Sequence, residues 1–237
     1  MSLTPEWTED VRGDATKLRY HATPGLLAVG IDEGSPSGSG VAFLQASDGS
    51  RMGTLGTTGS LQRTEYDERA EMVFAITDED YVYAIDPETA ELRWETQASG
   101  VGAATEETVF VHGANTVRAH GVDDGSREWK TVLPDSVYAG FFLVGDTLFA
   151  GIGEWKDEGV VAVDPETGQK RWHYRPGSAK SLDVSEDEIY TKFESEKRET
   201  ELVHLNGTTG VEQWSYDVGT AGFWFHPDDG TVYIEGS

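Results

Sequence analysis

The chain has 237 residues, 43 of them Asp or Glu against 18 Lys or Arg, for a formal charge of -25. So acidic a surface lacks the basic footprint that DNA, RNA or an anionic membrane requires. With no cysteine, disulfides, thiolate metal sites and Cys nucleophiles are excluded, and no run approaches the roughly eighteen apolar residues of a membrane-spanning helix.

The opening, Met1-Ser2-Leu3-Thr4-Pro5-Glu6, shows neither the basic nor the apolar region of a signal peptide. The expected setting is the cytoplasm of a high-salt cell, or the cell surface if a leader has been removed. Next, Glu6-Trp7-Thr8-Glu9-Asp10-Val11 matches the later Gln213-Trp214-Ser215-Tyr216-Asp217-Val218 in its Trp and in the Asp-Val pair beyond it. Between them one phrase recurs: small residue, x, Asp, x, x, Thr, Gly, three residues, Trp. Its clearest copies are Ala162–Trp172 and Ala84–Trp94. Aligned on the Gly, the copies fall at Gly49, Ala90, Gly125, Gly168 and Gly210, and the Trp column reads Gly53, Trp94, Trp129, Trp172 and Trp214. The first copy has lost its Trp, and the third has Gly121 where Asp is expected.

Short runs rich in β-branched and aromatic residues surround each copy, among them Met72–Ile76, Tyr81–Ile85, Phe141–Val144 and Val160–Val163. Turn residues bound them, and no window sustains a 3.6-residue apolar period, so an all-β chain is predicted. One repeat reads as four antiparallel strands, at 136–145, 148–154, 159–164 and 169–175 in the fourth unit. The Asp-Pro-Glu-Thr-Gly segment turns the third strand into the fourth. Four-stranded units of about 40 residues that bury both faces are blades of a β-propeller.

Five units cover 15–57, 58–97, 100–132, 136–175 and 178–217. Gly219–His226 and Thr231–Ile234 supply the inner strands of a sixth blade, with the N-terminal segment around Trp7 as its outer strand. A single domain over 1–237 with six blades, the last closed by the N-terminal strand, is expected. That blade lacks a visible third strand, so a piece of a seven- or eight-bladed propeller is the alternative.

The repeated phrase resembles the tryptophan-docking repeat of PQQ-like propellers, a group that includes quinoprotein dehydrogenases and BamB-type outer-membrane assembly factors. The resemblance implies that Trp94, Trp129, Trp172, Trp214 and Trp7 each dock on a neighbouring blade, with Gly53 breaking the pattern. Quinoprotein dehydrogenases hold PQQ over calcium beneath a vicinal Cys pair. This chain has no cysteine and no match to the calcium-ligand or base motifs, so no catalytic residue is carried over. A non-enzymatic, monomeric scaffold that needs no cofactor and binds a protein or ligand is expected. A quinoprotein-type oxidoreductase binding PQQ and calcium is the alternative, and a calcium-dependent hydrolase or lactonase a third.

Other features carry less. The Gly/Ser-rich insert Glu33–Gly40 lacks the helix and Lys of a P-loop. The acidic turns match no EF-hand spacing, the six histidines form no zinc pattern, and no nucleophile elbow is present. Asn206-Gly207-Thr208 is a glycosylation sequon in a repeat turn. Trp155 and Trp224 stand outside the Trp register: Trp155 belongs to a loop, as a contact residue or folded onto its own blade, and Trp224 to an inner strand. Trp155, Lys156, Arg175 and Lys180, with Lys197 and Arg198, fall in or near connections of the fourth and fifth units and mark a possible contact patch for an acidic partner. The scattered acids, finally, are those of a salt-adapted surface, expected of an extreme halophile.

Overall fold

A computed structural model describes residues 7–11, 13–32, 38–153, 158–175, 177–185, 188–194 and 200–218, together with the backbone of 223–226 and 231–234. Among them there is no helix. The chain, read from its repeats as one domain, gathers into two compact units. The first is Met1–Val111 with His120–Glu128, and the second is His112–Ala119 with Trp129–Ser237.

Five four-stranded sheets follow one another along the sequence, each with its strands side by side in chain order. The first is β1 (Asp14–His21), β2 (Leu26–Asp32), β3 (Ser39–Gln45) and β4 (Arg51–Gly56). The second is β5 (Leu61–Asp67), β6 (Met72–Thr77), β7 (Tyr81–Ile85) and β8 (Leu92–Gln97). The third is β9 (Gly100–Ala104), β10 (Thr108–His112), β11 (Thr116–Gly121) and β12 (Arg127–Val132). The fourth is β13 (Val137–Val144), β14 (Thr147–Ile152), β15 (Gly159–Val163) and β16 (Lys170–Tyr174), within two residues of the predicted bounds. The fifth is β17 (Ser178–Ser185), β18 (Glu188–Glu194), β19 (Thr200–Asn206) and β20 (Glu212–Asp217). Finally β21 (Phe223–His226) pairs with β22 (Thr231–Ile234). Residues 7–11 form no strand, so the expected outer strand of a sixth blade is not seen there.

Burial explains the pattern within a sheet. Middle strands are covered on both faces and read as continuous apolar runs: every residue of β6, β14 and β15 is buried. Last strands carry the polar residues, and β20 is exposed at every position. In the first unit Phe74, Ile76, Val82, Val109 and Val111 form one core, and Val41, Phe43, Val73, Tyr83 and Ile85 another. In the second, Phe149, Val160, Ile189, Phe193, Val203 and Leu205 do the same.

The turn before each last strand is built from its own side chain. Asp86 Oδ1 accepts the N–H of Glu88 and Thr89 at 2.8 and 3.0 Å. Asp164 does so for Glu166 and Thr167 at 3.1 and 2.9 Å, and Asn206 accepts from Thr209 N at 3.0 Å. The Asn206 side-chain oxygen is thus engaged within the turn that carries the sequon. Each turn closes on a residue of positive φ: Gly49 (74°), Ala90 (57°), Gly125 (65°), Gly168 (70°) and Gly210 (68°). That region suits glycine, and Ala90 occupies it at a cost of about 1–2 kcal/mol.

A β-bulge follows at one repeated position. Ala84 pairs with Trp94 but Ile85 with Leu92, and Ala162 with Trp172 but Val163 with Lys170. The extra residue, Arg93 or Arg171, is thereby aimed off the ladder. It folds back to the turn Asp seven positions earlier. Arg93 pairs with Asp86. Arg171 reaches Asp164 at 2.8 Å and Asp146 at 3.0 Å. Where the turn residue is Asn206, the bulged residue is the uncharged Gln213.

The hydrogen bond from Arg171, helped by the Thr167 N–H and hydroxyl, draws the Asp164 carboxyl down from 3.8 to about 2. Its folded value lies below its unfolded one, so the clamp stabilises the fold above pH 4 and fades as pH falls from about 4 to 2. Asp164→Asn keeps the turn acceptor and loses the charge. It should cost about 1 kcal/mol at pH 7, and urea midpoints of variant and parent should converge on acidification. A gap unchanged between pH 6 and 2 would contradict the clamp.

Candidate functional site

The bulges and turns place the tryptophans. Trp94 donates its indole N–H to Val122 O at 2.7 Å, Trp129 to Pro165 O at 3.0 Å and Trp172 to Gly207 O at 2.9 Å. In each case the acceptor opens the turn of the following repeat. The ring then lies over the glycine that closes that turn: a Cβ on Gly125, Gly168 or Gly210 would come within 2.5, 2.6 and 2.6 Å of Trp94, Trp129 and Trp172. Trp7 lies over Gly49 in the same way, and with Val11 it packs against Val29, Ile31, Ala42 and Leu44.

One pair departs from this pattern. Gly53 stands in the Trp column and faces Ala90 in the Gly column, where an added Cβ would meet the Ala90 methyl at 3.2 Å. Where the other copies set a large ring on a glycine, two small residues meet here, the Ala90 methyl lying over Gly53. Trp214 is 40% exposed and lies against Tyr190 and His204 of its own sheet. Trp7, Trp94, Trp129 and Trp172 are thus engaged in packing on the turn of the following repeat.

The antiparallel order puts the starts of β13, β15 and β17 and the ends of β14, β16 and β18 at one end of their sheets in the second unit. Bulges in β13 and β17 fall at that end. Val137 pairs with Ile152 and Gly140 with Gly151, which leaves Tyr138 and Ala139 off the ladder. Ala179 pairs with Phe193 and Ser181 with Lys192, which leaves Lys180 off it. The two bulges bring these side chains together. Lys180 Nζ lies 5.4 Å from the Tyr138 ring centroid and 3.2 Å from Glu194 Oε2. Tyr138 is 58% exposed. Exposed Arg175 donates from Nε to His173 Nδ1 at 2.9 Å.

Of the sequence-predicted contact residues, Arg175 and Lys180 therefore lie at this end, while Trp155 and Lys156, like Lys197 and Arg198, fall outside the described residues. The side chain of Trp224 does too, as does most of the insert from Glu33. Tyr138 escaped the sequence reading, because a Tyr in an apolar strand reads as core. The usable signal was the adjoining Ala139-Gly140, where the ladder breaks. Among the described residues no group of three or more His, Asp or Glu side chains is arranged to hold a metal ion.

Four-stranded antiparallel sheets strung in sequence, all but the second receiving a preceding tryptophan on the last turn, define a β-propeller. The family model described as outer membrane protein assembly factor BamB matches residues 37–235, and the chain belongs to that PQQ-like family. Among solved structures, it is similar to BamB from Moraxella catarrhalis at 17% identity, with 97% of this chain and 73% of that one covered and a TM-score of 0.63. It is also similar to the computationally designed Ika8 protein (14% identity, 96% and 72% covered, TM-score 0.64) and to Sqt1 of Saccharomyces cerevisiae (14%, 97% and 70%, 0.61). At these identities the likeness is one of fold. No curated protein sequence matches the chain.

Proposed function

We propose that the chain is a non-catalytic, monomeric propeller that docks another protein on the end of the sheets where β13 and β17 begin. The observation that carries this reading is the exposed Tyr138 ring beside Lys180, both set off their ladders by bulges in neighbouring sheets. A rigid aromatic face costs little conformational entropy on binding and is a frequent anchor of interfaces. Lys180 and Arg175, though already bonded to Glu194 and His173, bring positive charge to this end of an acidic molecule, where a partner's carboxylate would be drawn. Membership of the BamB family supports a scaffold role. The charge of -25 supports a high-salt setting. No cofactor is assigned.

The test is photo-crosslinking. A benzophenone amino acid at Tyr138 should give a discrete adduct in native extract at molar KCl, and Arg175→Glu with Lys180→Glu should abolish it. An adduct insensitive to both reversals, or none at all, would refute the reading.

A further inference from the structure

The first unit holds a groove of about 660 Å³ at the other end of its sheets, where the β1–β2, β5–β6, β7–β8 and β11–β12 turns meet. Pro24, Pro87, Ala70 and Tyr66 line it together with Glu71, Glu88 and Asp123. Asp86 and Arg93 lie there too, but they are engaged with each other. A hydrogen bond from Thr23 to Glu68 at 3.4 Å links the two turns that form one side.

Comparison of matching turns sharpens this. The β1–β2 and β5–β6 connections are both four residues long, and the last residue of each has positive φ: Gly25 at 63° and Glu71 at 50°. Where one turn uses the residue suited to that backbone, the other keeps a carboxylate on the groove. The Tyr66 phenol reports the resulting field. Burial pushes it up first, and Glu71, Glu68 and Asp67 push it further.

We propose that this groove takes an arginine-bearing extended segment of a partner protein, the guanidinium lying on the Tyr66 ring within reach of Glu71, Glu88 and Asp123. The volume suits a few residues of peptide. A guanidinium is the cation that both stacks on an aromatic face and meets carboxylates in the plane of its fork. The proposal rests on the reading that the chain docks proteins, but it concerns a different surface from the Tyr138 end.

The probe is a dye-labelled decapeptide of alternating Arg and Gly, titrated by fluorescence anisotropy in about 0.15 M KCl, where surface charges act over roughly 8 Å. Combined Glu71→Gln, Glu88→Gln and Asp123→Asn should weaken binding roughly 10-fold or more. Glu95→Gln, Glu128→Gln and Asp183→Asn together make the same charge change at exposed positions outside the groove, and should weaken binding less than about 2-fold. Tyr66→Leu should weaken Arg-Gly binding severalfold, and a Lys-Gly peptide should bind the parent more weakly than Arg-Gly. Glu71→Gly removes a carboxylate while relieving its backbone, so its loss of affinity cannot be ascribed to misfolding. Equal losses in the two triple variants would reduce the effect to diffuse attraction and overturn the proposal, as would indifference to Glu71→Gly or a Glu-Gly peptide binding as well. Any of these leaves the crosslink at Tyr138 untouched, so the two readings fail separately.

Discussion

Gly168→Ala is expected to lower the melting temperature by roughly 5–15 °C. The methyl adds two costs. Its backbone must hold φ at 70°, which a non-glycine residue does at about 1–2 kcal/mol. It would also lie 2.6 Å from the Trp129 ring, so the indole must move and strain or lose its 3.0 Å bond to Pro165, about 1 kcal/mol more before packing is counted. A total near 3–4 kcal/mol converts to that shift at about 2–4 °C per kcal/mol for a chain of this size. Ala90 is the internal control. It holds the same backbone, but opposite Gly53 instead of an indole, so Ala90→Gly should be neutral or slightly stabilising. Gly53→Trp alone should destabilise, because its ring would land on the Ala90 methyl. Combined with Ala90→Gly it should recover most of that loss, making the cycle strongly non-additive. Scanning calorimetry of the four proteins decides it: an additive cycle, or a Gly168→Ala variant that melts with its parent, would show that the ring-on-turn contact carries little energy.

That cycle also marks where the sequence stops being readable. The repeat register was legible because each copy is local: Asp, Thr, Gly and Trp fall within eleven residues, and every one of those choices is dictated by a turn or a bulge. The lost Trp at Gly53 and the odd Ala90 were both visible as departures. Their complementarity was not, because it joins positions 37 residues apart in different sheets. The Arg93–Asp86 and Arg171–Asp164 clamps were hidden differently. Seven residues is no usual spacing for a strand pair, and only the bulge makes it one. Tyr138 and the Tyr66 groove were out of reach for a third reason. Exposure of an aromatic depends on which residue the ladder skips, and the groove is assembled from turns of three sheets.

Raising KCl from about 0.1 to 2 M is expected to raise the melting temperature steadily, by roughly 5–10 °C or more. The cause is electrostatic. With 43 acidic and 18 basic residues, most carboxylates have no cation to share. Each extra charge adds repulsion that the folded chain, being compact, feels more than the unfolded one. At 0.1 M the interaction reaches about 10 Å, far enough to couple one acidic turn to the next, whereas at 1 M it is cut to about 3 Å. The gain of a few kcal/mol is then worth the stated shift at about 2–4 °C per kcal/mol. The local clamps run against this trend, since screening weakens Arg171 with Asp164 and Asp146 as well. Asp164→Asn should therefore lose less relative to its parent in 2 M KCl than in 0.1 M. Sodium sulfate would stabilise almost any protein by strengthening apolar burial, so KCl, at matched concentration against an uncharged osmolyte, is the discriminating salt. A melting temperature flat in KCl would mean that the acids are so spaced on the surface that their repulsion is already negligible, and the salt-adapted reading of this chain would fall.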